Sequence, residues 1–239
     1  MPQQDYRARL QPKTLNAATV TIGSAKVSTN DVLGPNHPSN ILFPLWATGG
    51  ILFPYTPSLA TGNVTEYDPT SFIHSNYGYN AYVRSYPKPI SISAEFTAQT
   101  TEEALYLLAV IHFFRAVTKM YFGINPYEKA GTPPPTLKFN YLGDYQFNNV
   151  PVIVKNFEYT YEANIDYVPV ATAPLPTPFS VTDPRRVDLA PTATNGYTYV
   201  PTHLTVTLDM DTQFVPITLR NEFNLDLFRQ GKLMNKGYI

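Results

Sequence analysis

The side chains best suited to acid, base or metal chemistry are scattered along this sequence. The four histidines, His37, His74, His112 and His203, stand far apart, and none has a metal-binding spacing such as HExxH. His112 lies in an apolar stretch, which favours a hydrogen-bonded core or interface histidine over a ligand or a base. The chain has no cysteine, which excludes disulfides, thiolate zinc sites and cysteine nucleophiles.

Three carboxylates, Glu95, Asp209 and Asp211, alternate with hydroxyl side chains on two segments. Paired carboxylates can cleave a glycosidic bond, but no pocket-forming aromatic residues can be assigned to these three. In "GTPPP", residues 131–135, prolines remove the backbone donors that a phosphate loop needs, and neither GxSxG nor GxGxxG occurs. We therefore expect no enzymatic activity, no cofactor and no metal site.

In the segments that carry these carboxylates, apolar and polar residues alternate as they do in half-buried strands. In "ISISAEFTA" (90–98) and "HLTVTLDMD" (203–211) every second residue is apolar, so one face is buried and the other meets water. Further strands are predicted at 137–141 and at 150–161, the latter bent at Asn156. The residues expected on the wet face are Ser91, Ser93, Glu95, Thr97, Thr205, Thr207, Asp209 and Asp211.

A helix over about 101–120 follows the first strand. Thr100 and Glu103 fit a capping box at its start, and the stretch 104–114 has no charge and one histidine. That stretch is too short to cross a bilayer, which takes roughly twenty residues. A helix that is apolar all round must be covered all round, by the sheet on one side and by a neighbouring subunit or the proline-rich insertion on the other. The residues expected at this second cover are Tyr106, Val110, Phe113 and Phe114.

The composition indicates one large, mainly β domain. Proline is abundant, at 23 of 239 residues, and charged residues make up only 15%, which favours short strands and long loops. We divide the chain into an extended N-terminal arm at 1–40, with a weak strand near 19–27, and a single domain at 41–239. The domain contains a proline-rich insertion at 169–201 and a C-terminal tail at 221–239 with a short helix at 225–230.

The charge balance indicates how the chain meets other molecules. A net charge of −1 gives no broad basic face for phosphates. The N-terminus lacks the apolar stretch of a secretory signal, which predicts synthesis in the cytosol and no membrane partner. Tyrosines recur over 67–86, where their rigid rings with polar tips suit protein interfaces.

An ordered set of segments resembles proteins of contractile-tailed bacteriophages that sit where the tail tube meets the baseplate. These segments span roughly 55–239 without the insertion. The set comprises "HSNYGYNAY", "PISISAEFTAQTTEEALYLLAVIHFFRAVTKMYFG", "GTPPPTLKFNYLG", "NNVPVIVKNFEYTY", "DYVPV" and "FNLDLFRQGKLMNKGYI".

The resemblance implies a tail-tube-like fold, a β-sandwich or half-barrel with one flanking helix. It also implies a hexameric ring whose sheets join around a DNA channel, with the helix at the boundary between protomers. The eight wet-face residues would then line the channel, and their hydroxyl and carboxylate groups would let DNA slide without binding it specifically. The implied partners are further copies of the chain, the tail tube protein and the baseplate hub and wedge proteins, in a virion assembled in the host cytoplasm.

Several functions remain open from the sequence. A ring that initiates or caps the tube is the first interpretation, and the main tube subunit or a tube terminator is the alternative within that class. A host-surface module that binds glycans through its tyrosine-rich loops is the alternative of another class. A carboxylate-based tail hydrolase ranks last.

Overall fold

A computed structural model describes residues 6–14, 18–22, 25–38, 40–122, 130–171 and 197–239. Strands dominate these residues and helices are few, which confirms the mainly β class. The strands are β1 (Arg9–Pro12), β2 (Ala18–Ile22), β3 (Ala25–Asn30), β4 (Gly34–Pro35), β5 (Ile51–Leu52), β6 (Ser58–Ala60), β7 (Asn63–Thr70), β8 (Tyr79–Pro87), β9 (Ile90–Thr97), β10 (Leu137–Tyr141), β11 (Phe147–Thr160), β12 (Tyr167–Ala171), β13 (Tyr197–Pro201) and β14 (His203–Thr212). The helices are α1 (Thr101–Val117), α2 (Pro216–Glu222) and α3 (Leu225–Arg229), with short 3-10 helices at Phe43–Trp46 and Met234–Lys236.

A seven-stranded antiparallel sheet forms the body of the domain, in the order β5-β1-β10-β11-β14-β9-β6. The alternation predicted for β9 and β14 is confirmed, because every second residue of each strand is buried. Where the sequence predicts a bend at Asn156, the pairing of β11 with β14 shifts its register between Val154 and Asn156. One face of this sheet carries the core and the other is polar.

The N-terminal segment differs from the predicted extended arm. β1 lies inside the main sheet, between β10 and β5, and Ala8 and Leu10 are fully buried. The segment 9–12 therefore belongs to the domain, and the boundary proposed at residue 40 does not separate it. Four residues are too few to show a clear alternation, so pairing on both sides identifies this strand where its own pattern does not. β2, β3 and β4 form a separate small sheet.

α1 begins as the capping box predicts and ends three residues early. Thr100 accepts a hydrogen bond from the Glu103 backbone N–H, and the Glu103 carboxylate accepts from the Thr100 N–H. At the other end the Thr118 hydroxyl donates to the carbonyl of Phe114 at 3.1 Å. The helix packs between the main sheet on one side and β12, β13 and the 3-10 helix Phe43–Trp46 on the other.

The two ends of the proline-rich insertion form an ordered ribbon. β12 and β13 pair in antiparallel register, and we call this pair the β12–β13 ribbon. Val170 and Val200, on its inner face, are buried in the core. The predicted loop thus begins and ends as sheet, and its remaining residues, 172–196, lie outside the described residues.

β7 and β8 form a second ribbon, which we call the arm (63–87). It continues the pairing of β6 with β9, and the Lys88 N–H donates to the Gly62 carbonyl at 2.7 Å where the two parts meet. No residue of the arm is buried on either of its faces. Eight residues of strand span about 27 Å, so the arm extends well beyond the sheet.

The C-terminal residues fold back onto the domain. α3 confirms the short helix predicted at 225–230, and the Asn224 side chain caps its start. Beyond it, the ring of Tyr238 is 5% exposed and packs on Phe214 at 5.1 Å and on Phe223 at 5.2 Å between centroids. Gly237 makes this return possible, since its φ of 75° lies in the left-handed region and its Cα lies against the Asn149 backbone.

Gly237→Ala should therefore destabilise the protein strongly. A Cβ would meet the Asn149 carbonyl oxygen at 2.6 Å, and the left-handed backbone adds roughly 1–2 kcal/mol. Gly143→Ala is the matched control, because its φ is 91° and a Cβ there meets nothing within 4 Å. In urea unfolding we expect Gly237→Ala to cost about 1–3 kcal/mol more than the control. Equal losses in the two variants would contradict the close packing of the tail.

Candidate functional site

The structure brings the eight predicted wet-face residues together. All eight lie on the face of the main sheet opposite α1, four on β9 and four on β14, and none is buried. The two strands are direct neighbours, with Glu95 opposite Thr205 and Ser91 opposite Asp209. The alternation of each strand predicts its wet face, and the register shows that the two wet faces form one surface.

This surface extends onto residues of β11 and β6 that the sequence did not single out. Asn156, Glu158 and Thr160 of β11 lie opposite Asp209, Thr207 and Thr205, and Ser58 of β6 lies opposite Ser93. The β11 residues were missed because the register shift before Asn156 breaks the alternation that a sequence pattern relies on. We call the surface of β6, β9, β14 and β11 the polar sheet face.

Hydrogen bonds and ion pairs hold several side chains of the polar sheet face in place. The Ser91 hydroxyl donates to Asp209 Oδ1 at 2.6 Å, and Lys155 Nζ lies 3.1 Å from Asp211 Oδ2. The imidazole of His203 lies 3.9 Å from the carboxylate of Glu95 and 3.7 Å from that of Glu162. Carboxylates therefore dominate this face, but Lys155 offsets part of their charge.

On the same side of the main sheet, the side chains change from acidic to basic toward the edge formed by β10, β1 and β5. On β10 and β1, Lys138 and Arg9 alternate with the buried Leu137 and Leu10, so they face the same way as the carboxylates. Asn140 and Gln11 lie beside them, 3.4 Å apart between Nδ2 and Oε1. The whole face is therefore acidic on β9 and β14 and basic on β10 and β1, whereas the sequence predicted only the acidic part.

The four helix residues expected at a subunit boundary are instead covered by their own chain. Val110, Phe113 and Phe114 are fully buried, and Phe114 stacks on Phe157 at 4.8 Å between ring centroids. The second cover is the β12–β13 ribbon together with the 3-10 helix Phe43–Trp46. This corrects the inter-subunit assignment for these buried residues in favour of the insertion, whose ends pack against the helix. The outer side of α1, with Leu105, Leu108 and His112, stays partly exposed.

Tyr106 is the fourth of these residues, and it ties α1 to the start of β5. Its hydroxyl accepts a hydrogen bond from the Leu52 N–H at 2.7 Å and donates to the Leu52 carbonyl at 3.0 Å. Burial raises the pKa of Tyr106 despite that hydrogen bond. Further along the helix, burial and then the charge of Arg115 lower the pKa of the half-buried His112. Both residues therefore serve the packing of α1.

The arm presents the largest set of exposed aromatic side chains among the described residues. Tyr67 and Tyr82 meet edge to face at 6.0 Å, and Tyr77 and Tyr79 are exposed near the turn. The side chain of Ile73, at the turn itself, is 89% exposed, and Phe72 beside it is 62% exposed. Exposed apolar groups on this scale mark interaction surfaces, so the arm is a candidate contact surface.

One charged cluster stiffens the arm near its root. Arg84 Nε and Nη2 donate to the two carboxylate oxygens of Glu66 at 2.6 and 3.2 Å, and the Tyr86 hydroxyl donates to Glu66 Oε1 at 3.0 Å. The guanidinium carbon lies 5.3 Å from the centre of the Tyr86 ring. These hydrogen bonds, from Arg84 first and then Tyr86, lower the pKa of Glu66.

A second exposed apolar region lies at the C-terminal end. α2 and α3 contain no buried residue. We call this region the C-terminal patch, and its exposed large apolar residues are Val215, Ile217, Leu219, Phe223, Leu225 and Leu227. Three of these residues, Val215, Ile217 and Leu219, precede the tail that the sequence delimits at 221–239.

The structure places no metal centre or membrane helix in the part of the chain that it describes. Within those residues no three histidine or carboxylate side chains converge on one point as metal ligands would. Among the same residues no helix combines the length and the apolar character needed to cross a bilayer. Comparison of the sequence with known proteins finds no matching family model and no matching curated protein.

Removing the arginine of the arm should change how Glu66 titrates. The lowered pKa means that the cluster stabilises the arm above the ordinary pKa of a glutamate and that this contribution is lost as the pH falls through the lowered value. In Arg84→Gln we expect the pKa of Glu66 to rise toward its ordinary value, as measured by carboxyl carbon chemical shifts. Arg220→Gln, which also removes an exposed cation, should leave it unchanged. An unchanged titration in Arg84→Gln would refute the cluster.

Proposed function

We propose that this protein is a structural component of a contractile phage tail. It forms a ring, hexameric by the resemblance described above, at the junction of baseplate and tail tube. There it initiates or caps the tube and lines the channel through which DNA passes. Its partners in this role are further copies of the chain, the tail tube protein and the baseplate hub and wedge proteins.

The arm is the observation that carries the proposal. A two-stranded ribbon alone is marginally stable in water and normally packs on a sheet or a helix. The arm instead exposes both faces, together with Phe72, Ile73 and its tyrosines. Such an arm gains its cover from another molecule, as a subunit of a ring or stacked tube does.

The edges of the main sheet support the same proposal. The sheet ends in β5, with two residues, and β6, with three residues. β6 pairs only with Ser91–Ser93 of β9, so the second half of β9 has no strand partner on that side among the described residues. Joining neighbouring sheets in a ring would satisfy these backbone groups and remove an open edge.

The polar sheet face suits the wall of a DNA channel. Repeated around a ring, Glu95, Asp209 and Glu158 would form circles of carboxylates among hydroxyl groups, which repel phosphates and leave DNA free to slide. The basic residues Lys138 and Arg9 lie at one border of the same side. Around the channel wall, acidic strips from β9, β14 and β11 would thus alternate with narrower basic strips from β10 and β1.

A glycan-binding module is the second candidate. The β12–β13 ribbon exposes Tyr167, Tyr197 and Tyr199, and flat aromatic rings of this kind can stack on sugars. Specific binding of the isolated protein on a glycan array would favour this function. Assembly without any glycan binding would favour the ring.

Electron microscopy of the purified protein, alone and with its tail tube protein, tests the proposed function. We expect closed rings that seed the growth of tubes, because the arm and the sheet edges are completed only by neighbours. Shortening the arm by replacing 67–82 with an Asn-Gly turn should abolish ring formation and leave the core folded, since no arm residue is buried. Monomers that never assemble with or without the tube protein would refute the proposal.

Reversing one charge of the polar sheet face tests its place in the channel. Asp209→Lys should slow or trap DNA during ejection from assembled particles, because a ring of lysines would bind phosphates. The control is Glu102→Lys, which makes the same charge change at an exposed position of α1, on the opposite side of the sheet. Ejection kinetics that are equal in the two variants and in the wild type would exclude a channel position for Asp209.

A further inference from the structure

The C-terminal patch is an exposed apolar surface that the channel role does not explain. Ile217 is 66% exposed and Leu225 is 51% exposed, on two short helices without a buried residue. The patch is nevertheless fixed in place, because Phe223 packs on the buried Tyr238 and Lys236 Nζ pairs with Glu222 at 2.9 Å. A rigid, exposed apolar surface of this kind is suited to docking.

The root of the arm lies at the same end of the domain as the C-terminal patch. A cavity of about 240 Å³ is lined both by Thr61, Gly62 and Asn63, where the arm starts, and by Phe228 and Tyr238 of the C-terminal region. Since no arm residue is buried, the arm of a chain does not cover that chain's own patch. In a ring, the arm roots and the C-terminal patches of all subunits therefore lie at the same height, which makes the patch of the next subunit a candidate partner for the arm.

The charges of the two surfaces are complementary. In the arm, Glu66 is paired with Arg84, which leaves Asp68 as the excess charge. In the C-terminal region Lys236 pairs with Glu222, and Arg229 lies 3.8 Å from Asp226, which leaves Arg220 and Lys232 in excess. The arm thus carries one excess negative charge and the C-terminal region two excess basic side chains, so a contact between the two surfaces would bring opposite charges together.

We propose that the C-terminal patch is the docking site for the arm of a neighbouring copy of this chain. The inference rests on the proposed ring and names the contact that closes it. Arm and patch are different surfaces, so the contact is head to tail, and repeated contacts of that type close into a ring when the rotation between subunits permits it. Phe72 and Ile73 at the arm tip supply the apolar side chains that cover Ile217 and its neighbours.

Cross-linking between introduced cysteines tests this contact, because the chain has no cysteine of its own. We combine Ile73→Cys with Ile217→Cys, both at exposed positions whose replacement leaves the core intact. Rings seen by electron microscopy are treated with a short bismaleimide and separated under denaturing conditions. We expect a ladder of covalent multiples up to the full ring. The control combines Ile73→Cys with Tyr199→Cys on the β12–β13 ribbon, for which we expect monomers.

The outcomes separate this inference from the proposed function. Rings that form but give no covalent multiples with Ile73→Cys and Ile217→Cys would overturn the docking site and leave the ring itself standing. Equal cross-linking of the Tyr199→Cys control would also overturn it, because the arm would then have no preferred site. A failure to form rings, with the wild type equally monomeric, would overturn both.

Discussion

The fold depends on covering a helix that is apolar on nearly every side. α1 has fully buried residues facing both layers around it, with Phe114 stacked on Phe157 of the main sheet. Burying a phenylalanine stabilises a protein by about 1.5–3 kcal/mol, so a bare second side would be costly. The β12–β13 ribbon and the 3-10 helix Phe43–Trp46 pack against α1 and provide this second cover. Val110, Phe113 and Phe114 are therefore covered within one chain.

Because Val110, Phe113 and Phe114 are covered within the chain, the most exposed apolar surfaces lie elsewhere. The arm and the C-terminal patch are the places where large apolar side chains remain exposed in number, as at Ile73 and Ile217. Both belong to segments that extend from the ends of the main sheet, so contacts made there do not disturb the core. Contacts between copies in the proposed ring would then form on a domain that is already folded. The stability of the domain would not depend on the strength of those contacts.

The two faces of the main sheet differ in what they contact. Its inner face supplies the core under α1, and its outer face is polar, with the carboxylates of Glu95 and Asp209 on adjacent strands. Period-two alternation makes such a division possible, since each residue of a strand points to the side opposite its neighbour. A surface of this kind carries hydroxyl and charged groups at a fixed spacing.

The sequence by itself determined those elements whose structure depends on residues that are close together in the chain. The alternation over 90–97 and 203–212, the capping box of Thr100 and Glu103 and the short helix after Asn224 all follow from the sequence. Tertiary structure alone decided the place of β1 in the sheet, the contribution of Asn156 and Glu158 to the polar sheet face, and the cover of Val110 and Phe113. Each of these depends on a strand pairing between residues far apart in the chain, and a short strand or a register shift leaves no local pattern from which such a pairing can be read.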